Sequence, residues 1–122
     1  MKRDLDLVRK LLIYFDNKED AEIVEHIHIE GYDTLTVNYH LVLMDEAGFL
    51  SCERDMSSTT PDRVIRVQPF FLTWKGHEFL DSIRNEDIWN KTKDLVFTKT
   101  GTLTFEIIKQ ALNKVALSTL GL

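Results

Sequence analysis

The 122-residue sequence contains a single cysteine, Cys52, so no internal disulfide can form, and a lone thiol suits a reducing compartment. No apolar run approaches the length needed to cross a bilayer, and Asp4 and Asp6 interrupt the MKRDLDLVRK opening, which would otherwise suit the start of a signal peptide. A soluble, cytoplasmic protein is expected, with no membrane partner. Also missing are a Gly-rich phosphate loop, a Ser-centred elbow and a distinctive carboxylate pair, so neither enzymatic activity nor a cofactor is expected. His77 and Glu78 begin a zinc-protease helix pattern, but Asp81 stands where the second histidine must be. Neither the His26/His28 pair nor His40 has ligand-spaced neighbours, and no metal site is expected. Cys52 itself reads as a small, half-buried strand residue.

Positive charge is scarce where a nucleic-acid binder would need it. Met1 to Arg84 holds sixteen acidic and ten basic residues, a net −6, whereas Asn85 onward carries a net +1. DNA-binding proteins gain most of their affinity by placing cations on phosphates, so this balance argues against tight, non-specific duplex binding.

What is present is periodicity. Leu5, Val8, Leu11, Leu12 and Phe15 follow an Asp4 cap and predict a helix from about Asp4 to Phe15. After the polar stretch DNKEDAE, Ile27 and Ile29 alternate with His26, His28 and Glu30, predicting a short strand. Asp33 can cap a helix beginning at Thr34, with Val37, Leu41 and Met44 as its inward row and Gly48 as its left-handed stop. Phe49–Arg54 and Arg63–Gln68 predict a hairpin around a polar tip at 55–62. Thr73 caps a further helix, in which Gly76 permits close approach and Phe79, Leu80 and Ile83 face the core. Two amphipathic segments follow, one with Ile88, Trp89, Thr92, Leu95 and Val96, the other with Phe105, Ile108, Leu112 and Val115. Gly101 lies between them, and Leu117, Leu120 and Leu122 keep the end apolar. The length suits one domain over 1–122, a core at 1–84 followed by C-terminal helices at 85–122.

This order predicts an α+β fold: a winged helix-turn-helix core, with a three-stranded antiparallel sheet and wing, plus a C-terminal helical extension. Its second helix would be either a turn or a piece of Glu19–Val24. VNYHLVLMDEAGFL (37–50) resembles the recognition helix and strand entry of bacterial winged-helix regulators, and LTWKGHEFL (72–80) resembles their post-wing helix. MKRDLDLVRKLL, IEGYD (29–33), YHLVLMDEAG (39–48), LTWKGHEFLDSIRNEDIWNKTK (72–93) and LTFEIIKQAL together resemble the bacterial and prophage family known as domain of unknown function 2513. That resemblance implies a small cytoplasmic bacterial or phage-borne protein and brings no activity or site residue with it.

Two functional readings follow. In the first, a transcription-regulator-like protein binds double-stranded DNA with Thr34, Asn38 and Tyr39 toward bases and Arg54, Arg63 and Arg66 on phosphates. The would-be reading helix, however, contains no Lys or Arg, and Leu35, Tyr39 and Val42 form a second apolar stripe beside its inward row. A helix apolar on both sides is usually buried on both, so this stripe is expected to be covered by the C-terminal helices or another subunit. The second reading is therefore a protein-interaction module using Leu35, Tyr39, Val42 and Trp89, in either case as a homodimer.

Overall fold

Asp4 sets the start of the first helix. In the computed structural model, which describes residues 1–100 and 104–121, its carboxylate accepts from the Asp6 and Leu7 amides at 2.9 and 3.2 Å, capping α1 (Leu5–Asn17). Leu5, Val8, Leu11, Leu12 and Phe15 are buried as the spacing demands, and Leu7 joins them. Beyond the helix, the Lys18 ammonium donates to the carbonyls of Asp20 and Glu22 and to the Asp20 carboxylate, folding the polar stretch back on itself.

Residues 18–33 contain neither the expected strand nor a second helix. The physical reason lies on the strand they would have joined. The Val24 amide donates to the Pro69 carbonyl at 3.0 Å, but proline has no N–H to return the bond. Antiparallel pairing continued from that bond would also set His26 opposite the buried Val67, turning His26 and His28 inward and Ile27 and Ile29 outward. The alternation is present in the wrong register.

Asp33 caps α2 (Thr34–Glu46) through the Thr36 amide at 2.8 Å, and Val37, Leu41 and Met44 are buried. Gly48, at φ 81°, takes the left-handed conformation that ends the helix and turns the chain into β1 (Leu50–Met56). β1 pairs antiparallel with β2 (Val64–Leu72), and among the described residues this two-stranded hairpin replaces the expected three-stranded sheet. The fold is α+β, and the described residues contain no third strand of a winged helix. Phe70 and Ile65 are extra residues at two register shifts, between Ser51 and Cys52 and between Asp55 and Met56. The first shift reverses the faces of β2: Val67 and Pro69 are buried before it, and Leu72 is buried after it with Phe71 outward.

Thr73 precedes α3 (Trp74–Ile83), its hydroxyl accepting from the Gly76 amide at 3.1 Å and donating to the Gly48 carbonyl. Gly76 sits against the backbone of Phe49, where a Cβ would collide with the carbonyl oxygen, and the Phe49 and Phe79 rings stack at 5.2 Å. Phe79, Leu80 and Ile83 are buried.

The chain divides into two compact units, Met1–Leu80 and Asp81–Leu122. In the second, Asn85 caps α4 (Glu86–Thr100) through the Ile88 amide, and Thr104 caps α5 (Phe105–Thr119) through the Ile107 amide. These two helices pack on each other; Trp89, Thr92, Val96, Ile108 and Leu112 are buried, while Leu95 is half in solvent. Gly101 and Leu122 lie outside the described residues. No helix among the described residues is long and apolar enough to cross a membrane.

Candidate functional site

The first unit brings several of the sequence-nominated residues together around α2 and the hairpin. Capping by Asp33 fixes the first turn of α2, and with Val37, Leu41 and Met44 turned inward, Thr34, Leu35 and Asn38 face solvent. Leu35 is 67% exposed, and Tyr39 and Val42 are half-buried. Of the two expected covers for this stripe, the C-terminal helices or another subunit, the first does not hold at Leu35, which lies open in the single chain. Trp89, nominated for the same surface, is 1% exposed and belongs to the core instead.

The hairpin arginines are largely occupied. Arg54 donates from Nε and Nη2 to the two carboxylate oxygens of Asp45, at 2.7 and 2.6 Å. Asp45 lies within α2 and is buried; Arg54, followed by the Cys52 thiol, holds its carboxyl below the ordinary range against the opposing effect of burial. The Cys52 thiol donates to the same carboxylate at 3.1 Å, and burial, with Asp45 adding to it, pushes its pKa up to about 12, which disfavours the reactive thiolate. Arg66 pairs across the strands with Asp55 at 2.5 Å, and Gln68 donates to the same carboxylate. Arg63 is exposed at the hairpin tip and has no ion pair among the described residues.

A cleft of about 320 Å³ opens between the N-terminal half of α2 and the outer edge of β2. Thr34, Asn38 and Arg66 line it together with Val24, His26 and Val67. Tyr39, Arg54 and Arg63 do not line this cleft. His26 and His28 are exposed, His77 lies 3.8 Å from Asp16, and among the described residues no three His, Cys, Asp or Glu side chains cluster as metal ligands would.

Sequence reasoning missed a buried polar junction at the base of α2. His40, fully buried, accepts the Asp4 amide at Nε2 (2.7 Å), and its Nδ1 donates to the Thr36 carbonyl at 2.8 Å. Only the neutral, Nδ1-protonated tautomer satisfies both bonds. The Tyr32 hydroxyl donates to the second Asp4 oxygen at 2.9 Å; burial, then Asp4, pushes its pKa up to about 12. Asp4 was legible as a cap, but nothing in its spacing announced His40 or Tyr32 as partners.

The sequence profile of the family described as Hypothetical protein (DUF2513) matches residues 2–102. The chain belongs to that family. An uncharacterized protein of Haemophilus influenzae strain Rd is 34% identical over 111 residues, covering 90% of this chain and 91% of that one. No solved structure matches. The relationship thus spans both units of the chain while supplying no chemistry, and any role for the α2 face and cleft rests on their geometry.

Proposed function

We propose that this DUF2513 member is a non-enzymatic protein-contact module on a winged-helix-like scaffold, with the α2 face around Leu35, Tyr39 and Val42 as its docking surface. The observation that carries this reading is Leu35, two-thirds exposed at the head of a helix with no basic residue. Burying such a side chain in an interface is worth about 1.5–3 kcal/mol, and the half-buried Tyr39 and Val42 extend the same stripe. Pairing of Arg54 with the buried Asp45 weighs the same way, since drawing Arg54 onto a phosphate would strand a buried carboxylate, whereas the exposed Arg66–Asp55 pair weighs little.

The alternative, a transcription-regulator-like reader of double-stranded DNA in a bacterial or phage setting, draws support from one observation: Thr34, Asn38 and Arg66 line a single cleft. Binding of the full chain to a mixed set of duplexes across a salt series separates the two, alongside the variant with Arg63 and Arg66 changed to Ala. The protein-contact reading expects no saturable duplex binding at low salt. Steep salt-dependent binding with a shallower slope in the double variant would overturn it in favour of DNA. Sedimentation equilibrium tests the simplest partner, a second copy: self-association should weaken at least tenfold in Leu35→Asp, a loss of about 1.4 kcal/mol or more.

A further inference from the structure

Along the outer edge of β2, Pro69 and Val67 both direct their main-chain groups away from β1. Val24 N–H on the Pro69 carbonyl fixes the side, and Val67 lies two residues earlier with no register shift between them. Pro69 offers only a carbonyl, already taken. Val67 keeps an N–H and a C=O pointing the same way, and among the described residues neither has a partner on that side. Both lie along the cleft, to which Val24, Ile27 and Leu41 contribute apolar side chains and Glu25, His26, Thr34, Asn38, Arg66 and Gln68 polar ones.

The neighbouring segment of the chain is a poor occupant of this edge. Followed from Val24 in antiparallel register, it would place His26 opposite Val67, on the buried side of the sheet. A peptide from another protein is under no such constraint. We propose that the cleft is a strand-addition site: it takes a short extended peptide whose main chain pairs with Val67 and whose central side chain, apolar and uncharged, rests on Leu41 and Ile27. Asn38, with both a donor and an acceptor, faces the peptide from the α2 wall and can read a peptide group on its second edge. The volume, at the small end of ligand clefts, suits one anchor residue and its flanking peptide groups. This inference rests on the protein-contact reading and names a second point of contact beside the Leu35 face.

The test is an amide-resolved NMR titration of the full chain with N-acetyl tripeptide amides carrying Leu, Asp or Lys at the centre. The Leu peptide should shift the Val67 and Asn38 signals saturably. Methylating the nitrogen of its central residue should weaken binding about tenfold, the worth of one strand bond. Val67→Pro removes the outward N–H without touching the β1 ladder, and should abolish the response while leaving the remaining spectrum folded. Equal response to all three peptides, indifference to N-methylation, or no response at millimolar concentration overturns the strand site. So do shifts at Thr34, Asn38 and Val67 with a duplex oligonucleotide and not with peptide. Leu35→Asp should leave peptide binding unchanged, so loss of self-association and loss of peptide binding report separately on the two surfaces.

Discussion

The imidazole of His40 and the backbone amide of Asp4, 36 positions apart in the chain, share a 2.7 Å hydrogen bond at the point where α1 begins and α2 passes. Asp4 does three things at once: its amide donates to His40, one carboxylate oxygen caps α1, and the other accepts from Tyr32. Replacing His40 by Ala removes the acceptor, strands the amide and leaves a cavity. A loss of about 2–4 kcal/mol is expected, read from the urea midpoint of unfolding. His40→Gln, whose side-chain oxygen can still accept, should lose less.

Gly76→Ala is expected to destabilise, against the usual trend. In an open helix this change gains about 1 kcal/mol from propensity and reduced chain entropy. Here the new methyl meets the Phe49 carbonyl, part of a backbone that cannot rotate away, so strain of about 1–3 kcal/mol should prevail. A rise in melting temperature would show that α3 can shift away from the strand entry.

Asp45→Asn tests the link between α2 and the hairpin. The folded-state carboxyl pKa is lowered, so its stabilising contribution is present above the unfolded value, near 3.8, and is lost as pH falls through the folded value. The variant should therefore be less stable at neutral pH and should lose less stability than the parent on acidification below about pH 4. Because Arg54 is half-exposed, solvent screening trims the effect, on the order of 1–2 kcal/mol at neutral pH. Denaturant midpoints between pH 2 and 7 check it.

At the alkaline end the sign reverses. Tyr32 and Cys52 have folded-state values raised to about 12, from 10.0 and 9.0. Each contributes stability that is full below its unfolded value and disappears as pH rises toward about 12. Tyr32→Phe should flatten the part of the loss between about pH 10 and 12, and Cys52→Ala the part beginning near 9. Cys52 should also react with a thiol reagent at pH 8 at least tenfold more slowly than after unfolding.

Features set by neighbours in sequence were legible from it. Asp4, Asp33 and Thr73 mark helix starts because a cap acts within three residues, and Gly48 marks a stop because its backbone conformation is local. The inward row of α2 follows from helical spacing alone. The Ile27/Ile29 alternation failed as a strand because a strand needs a partner, and the partner's Pro69 lies far along the chain. The same distance hid the roles of His40 and Tyr32. At the candidate site, Thr34, Asn38 and Arg66 were nominated by residue type, and the fold does bring them to one cleft. The pairings that occupy Arg54 and Arg66 depend on strand register and on the approach of α2, neither of which spacing reveals. Leu35 was recognised as apolar on an outer face, but whether such a residue is covered is a property of the assembled surface.

The two bulges in β2 separate the hairpin into three short runs, each with its own offset between the strands. A slip at the tip would have to pass the irregularity at Asp55 and Met56 before reaching Val67, and a second one at Ser51 and Cys52 before reaching Leu72. Insertions or deletions in the turn at 57–63 should therefore stay local, leaving the core-facing order of the strands intact. The tip should thus tolerate changes in length, and is a natural place to attach a probe or a tag.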